Sequence, residues 1–169
     1  LAPAQVGLAM SIGPTVSALT GIPAGRLVDR FGAHVLMVIG LGGVIAGSAL
    51  MAVLPGVLGL AGYLSSLPVI TAGYALFQAA NTTAIMNATA KDHRGVTSAL
   101  LGLARNLGLI SGASAMGALY ALGSGGMASL GLAPGGASGL RLTFALSAVL
   151  AGLSLGWIIR ANRRASPVT

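Results

Sequence analysis

Few residues in this chain carry groups that could do chemistry, and they fall in three places. The first is Asp29, flanked by Arg26, Arg30 and His34. The second is a row of hydroxyls and amides, Thr71, Tyr74, Gln78, Asn81 and Thr82, which at about 100° per residue share roughly a 100° arc of one helix. The third is Arg105, a cation set inside a long apolar run. None of these is built for making or breaking covalent bonds. Asp29 and Asp92 are the only acids and are far apart in the sequence; His34 and His93 stand in separate charged segments; and there is no cysteine. HExxH, GxxxxGK[ST] and GxSxG are absent. The sequence therefore predicts no enzyme, no metal site and no cofactor, and the absence of a phosphate loop argues against ATP-driven work by this chain itself. Such residues can instead bind, orient and gate.

The elements that position them are set by composition. Of 169 residues 55% are apolar and only 7% charged, where a soluble domain carries about 25% charged. That deficit excludes a water-facing surface, and the apolar excess excludes intrinsic disorder. A net charge of +7 invites a nucleic-acid reading, but the basic residues are scattered and aromatics are 4%, so clustered charge with stacking rings is missing. The expected environment is a lipid bilayer.

Charge positions divide the chain. Residues 1–25 and 35–90 carry no charge, and beyond the cluster Lys91 to Arg94 only Arg105 and Arg141 intervene before Arg160, Arg163 and Arg164. A spanning helix needs about 20 apolar residues, which predicts an all-α transmembrane chain of five spans at 4–25, 35–54, 66–88, 97–121 and 140–160. A turn is expected from Leu54-Pro55-Gly56 through Gly62, a small-residue loop from Gly123 to Gly136, and a tail over 161–169. Runs this long and uninterrupted argue against a β-barrel. Alternation places Arg26, Arg30, Lys91, Arg94, Arg160, Arg163 and Arg164 on one side, which the positive-inside rule makes cytoplasmic. The C-terminus is then inside and the N-terminus outside. An odd number of spans, Leu1 in place of a methionine and no signal peptide lead to the expectation of a piece of a longer protein.

Each candidate has a plain reading beside its sharper one. The Asp29 segment is either a topology-setting loop with a turn at Gly32 or a place where Asp29 caps a neighbouring helix, Gly21 and Gly25 admit a close partner, and Arg30 supplies a cytoplasmic contact. The Gln78 stripe either makes interhelical hydrogen bonds or lines a pathway, with Tyr74, Gln78 and Asn81 its candidate members. Arg105 either snorkels toward headgroups, roughly 16 Å along from Arg94, or serves function or gating in the span. Gly108 and Gly112, with Ser111 and Ala115, predict a close-packing face on the fourth span, and Gly152 and Gly156 another on the fifth. Pro14 and Pro23 predict a kinked first span.

The segment Gly25-x-Leu27-x-Asp29-Arg30-x-Gly32 resembles the signature loop of the major facilitator superfamily, G-x-L-x-D-R-x-G-R-K/R, with Ala33 and His34 in place of two basic residues. Phe77-Gln78-Ala79-Ala80-Asn81-Thr82-Thr83-Ala84-Ile85-Met86, then Arg94-Gly95-Val96-Thr97-Ser98-Ala99, then Ala104-Arg105-Asn106-Leu107-Gly108, is similar at these spacings to the fourteen-helix drug/proton antiporter branch. There Ala80 replaces a proline and Thr82-Thr83 an Asn-Ser pair. The resemblance, over residues 4 to 122, implies the last five helices of a C-terminal bundle, with Gly25, Asp29, Arg30 and Gly32 in a cytoplasmic gating loop.

The expected function is transmembrane transport of small molecules, as proton-coupled export of drugs or other amphipathic compounds by alternating access in the plasma membrane. The partners expected are lipid, a missing N-terminal half, substrate and protons, and no nucleic acid. Two alternatives stand beside it: a five-span structural or interaction protein without transport, and a nutrient importer of the same superfamily.

Overall fold

The computed structural model describes residues 3–126 and 136–165. Among them are five long helices and no strand: α1 (Pro3–Phe31), α2 (Ala33–Leu58), α3 (Leu60–Ala88), α4 (Arg94–Ala121) and α5 (Gly136–Ala165). A 3-10 turn, Lys91–His93, joins α3 to α4, and a π-helical turn, Leu122–Gly126, follows α4. Helices α2, α3, α4 and α5 are each long and apolar enough to cross a membrane, and α1, 29 residues long, is the fifth of the bundle.

Two of the connections are single glycines. Gly32 joins α1 to α2 at φ +84° and ψ 147°, and its N–H donates to the Val28 carbonyl at 2.9 Å. Gly59 joins α2 to α3 at φ +57° and ψ −131°. Both backbones lie where a Cβ is strained, so glycine lets two long helices reverse direction in one residue. The turn expected over 54–62 thus contracts to Gly59. Pro55 stays inside the last turn of α2, and α3 begins at Leu60, six residues before the expected start. Helix α5 also runs past its expected end, so the supposed tail is helical as far as Ala165 and its remainder, 166–169, lies outside the described residues. Pro14 and Pro23 are carried within α1, which continues unbroken through both.

The tightest packing is between α2 and α3. Gly40, Gly43 and Gly47 recur along one face of α2, and Gly73 faces them from α3. A Cβ on Gly73 would sit 2.7 Å from the Val44 nitrogen and 2.8 Å from the Gly40 carbonyl oxygen, and one on Gly43 would sit 3.1 Å from the Gly73 Cα. Gly47 is closed off in the same way by the backbone of Ile70. Small residues bring two backbones into van der Waals contact where lipid supplies no hydrophobic drive. Beside this seam, Val28, Leu36 and Ala80 form a buried cluster against Ala33, Met37, Leu76 and Ala79, fixing α1, α2 and α3 together at the Gly32 end. Helix α5 lies against α2, where the Arg141 guanidinium crosses the position a side chain on Gly56 would need.

The expected glycine faces differ from this. Nothing lies within 4 Å of a Cβ built at Gly21, Gly25, Gly108, Gly112, Gly152 or Gly156. Within this chain Gly108 and Gly112 do not mediate packing, because α4 buries none of its residues and touches α3 only sparingly. A run of small residues permits close approach without compelling it. The run that is used is the one met by a closely approaching backbone: the α2 glycines face Gly73 and the main chain of Ile70 and Phe77 on α3.

Candidate functional site

The alternating helices gather the charged segments at one end of the bundle. The end of α1 carries Arg26, Asp29 and Arg30, the 3-10 turn carries Lys91, Asp92 and His93, Arg94 opens α4, and Arg160 lies toward the end of α5. The opposite end has Arg141 near the start of α5. At the charged end Arg30 lies 5.4 Å from the centre of the Phe31 ring, within reach of a cation–π attraction. The Asp92 carboxylate is 3.5 Å from His93 Nε2, with both side chains open to solvent. Asp29 is exposed, and neither Gly32, before α2, nor His93, before α4, receives a side-chain capping bond. The expected cap by Asp29 on either of those helices is therefore not made.

Farther into the bundle, α3 turns two different faces to its neighbours. Gly73 and Ala80 are buried toward α1 and α2. Tyr74, Gln78, Asn81 and Thr82 turn the other way, into a cavity of about 310 Å³ between α3 and α4. Phe77, Met86 and Leu101 give it apolar wall, and Ser98, Gly102, Ala104 and Arg105 complete it from α4. A second cavity, about 450 Å³, lies between α1, α3 and α4 and is lined by Ser17 and Gly21 of α1, by Ala75, Gln78, Ala79, Thr82 and Thr83 of α3, and by Arg105. Gln78, Thr82 and Arg105 belong to both.

All four residues singled out for a pathway, Tyr74, Gln78, Asn81 and Arg105, thus line one cavity. Thr71, the fifth polar residue of the arc, is not among its lining; its hydroxyl donates to the Leu67 carbonyl at 2.9 Å, the usual outlet for a threonine within a helix. Ser17, Thr83 and Ser98 were not anticipated. Ser98 stands seven residues, about two helical turns, before Arg105, a spacing that puts it on the same face, where it could have been found. Ser17 and Thr83 gave no periodic signal.

Depth is consistent across the two helices. Gln78 is ten residues from the charged end of α3 and Arg105 eleven from that of α4, so each sits roughly 15 Å in, near the middle of a membrane-spanning length. At that depth amides, hydroxyls and a guanidinium require protein or water around them. A cavity lined by exactly these groups can solvate a polar solute while Phe77, Met86 and Leu101 accept an apolar one.

The family model for the Major Facilitator Superfamily matches residues 1–169. No curated protein and no solved structure matches the chain significantly.

Proposed function

Because the chain belongs to the major facilitator superfamily and is a multi-pass membrane protein that transports small molecules, we propose that it forms the C-terminal bundle of a proton-coupled exporter of amphipathic compounds. Its likeness is to the fourteen-helix drug/proton antiporters. One observation carries this reading: Tyr74, Gln78, Asn81 and Arg105 converge on a single cavity between α3 and α4. Polar groups at mid-depth are expensive in lipid, and a pathway gives them a reason to be there.

In this reading the polar faces of α3 and α4 oppose an N-terminal half, and the cavity opens alternately to each side as the two halves rock. Helix α4, with no buried residue of its own, supplies the moving wall. Gly32 sets the sharp reversal from α1 to α2, and with Gly25, Asp29 and Arg30 it forms a cytoplasmic latch that holds the closed state. Neither Asp29 nor Asp92 stands in the cavity lining, so the protonated acid that couples transport belongs to the other half. In this reading the charged end faces the cytoplasm, the side that the positive-inside rule favours for basic residues, and the bundle lies in the plasma membrane.

Everted membrane vesicles carrying the full-length protein test it. Acidifying the vesicle interior should drive accumulation of amphipathic dyes, and Gln78→Leu or Asn81→Leu should lower the rate about ten-fold while the protein remains in the membrane. Accumulation of a metabolite in right-side-out vesicles instead would reverse the direction to import. No proton-dependent movement in either vesicle would overturn transport by this cavity.

A further inference from the structure

The charge in the cavity has a sign. Arg105 is shared by both lobes, and every other polar side chain around it is neutral: the amides of Gln78 and Asn81 and the hydroxyls of Tyr74, Thr82, Ser98, Ser17 and Thr83. No carboxylate lines either lobe. The chain has only two acids, both at the charged end. Asp92, in the turn before α4, is roughly 20 Å from Arg105 along the helix axis and stands beside His93. Among the described residues Arg105 makes no hydrogen bond and no ion pair.

An arginine held at mid-span is costly to keep charged without a partner or water. A ligand that brings a negative charge to it recovers part of that cost, whereas a cationic ligand adds to it. The guanidinium is a planar fork of donors that fits a carboxylate or sulfonate in two-point contact. Around it Phe77, Met86 and Leu101 provide an apolar surface, and the neutral amides can take further oxygens without adding charge.

We propose that this cavity binds amphipathic organic anions, a carboxylate or sulfonate on an aromatic or aliphatic body, with the anionic head paired to Arg105 and the body against Phe77, Met86 and Leu101. This rests on the reading of the cavity as the substrate path and narrows the substrates to those of negative charge.

Equilibrium dialysis of the full-length protein in an uncharged detergent, with two probes of equal ring size, tests it. The anion is 2-naphthalenesulfonate and the cation 1-methylquinolinium. The sulfonate should bind at least ten-fold more tightly than the quinolinium. Arg105→Gln should weaken sulfonate binding ten-fold or more and leave the quinolinium unchanged or tighter, while Arg105→Lys keeps part of the preference. Failure of Arg105→Gln to fold would leave the wild-type ratio and Arg105→Lys to decide. Equal or tighter binding of the quinolinium, no sulfonate binding, or sulfonate affinity unaffected by Arg105→Gln would overturn the anion preference. If Gln78→Leu still weakens both probes in that event, the cavity stands as a path for uncharged or cationic solutes. If neither Arg105→Gln nor Gln78→Leu moves either probe, the pathway reading falls with it.

Discussion

Gly73 and Gly108 are the same residue in helices of the same kind, yet their surroundings differ. A methyl group on Gly73 would press into the backbone of Gly40 and Val44, and one on Gly108 would meet nothing within 4 Å. Gly73→Ala should therefore destabilise the bundle by about 1–3 kcal/mol, the range for overpacking a tight interface. Gly108→Ala should be neutral or gain up to about 1 kcal/mol from better helix propensity. Thermal unfolding in detergent separates the two: a lower midpoint for Gly73→Ala alone is the expected result, and equal midpoints would mean the α2–α3 seam is looser than described. Gly32 poses the backbone version of the same question. Its φ of +84° with ψ of 147° is a conformation open almost only to glycine, so Gly32→Ala should cost on the order of 1–3 kcal/mol. In the same unfolding assay a midpoint equal to wild type would show that the α1–α2 reversal can be made another way.

At the scale of the element, α3 explains how one helix serves both packing and binding. Its glycine and alanine side, Gly73 and Ala80, locks onto α1 and α2, while its amide and hydroxyl side faces the cavity. Replacing Gln78 with leucine removes a polar group without touching the packed side. The expected outcome is a transport rate about ten-fold lower with an unchanged unfolding midpoint; a fall in both together would assign Gln78 to interhelical bonding. This polar side was legible in the sequence because period 3.6 collects Tyr74, Gln78 and Asn81 into one arc and because polar groups in an apolar run are conspicuous. The packed side was not legible. Glycines recur on α2, α4 and α5 alike, and only the close approach of the α3 backbone at Ile70, Gly73 and Phe77 distinguishes those of α2. Turn lengths were hidden for a related reason. Pro55 and Gly56 read as breakers, but α2 carries both in its last turn and runs on to Leu58, and a single glycine at positive φ makes the reversal.

At the scale of the whole molecule, alternation of five helices fixes which charges share an end, and that much followed from charge spacing alone. The sequence left open how far the helices close on one another. Helices α1, α2, α3 and α5 pack into a continuous body, and α4 stands at its margin with Leu100, Leu103, Leu107 and Ile110 exposed. In the proposed alternating-access cycle that margin and the cavity behind it form the moving interface. Cysteine accessibility tests this most directly, since the chain contains no cysteine of its own. Single cysteines would be placed at Gln78 and Asn81 on the cavity side and at Val53 on the outer surface of α2, then challenged in intact and everted vesicles with a thiol reagent that does not cross membranes. Gln78→Cys and Asn81→Cys are expected to react, from a side that changes when a proton gradient is imposed, and Val53→Cys is expected to stay unreactive in lipid. Cavity cysteines that remain unreactive from both sides under every gradient would contradict that cycle.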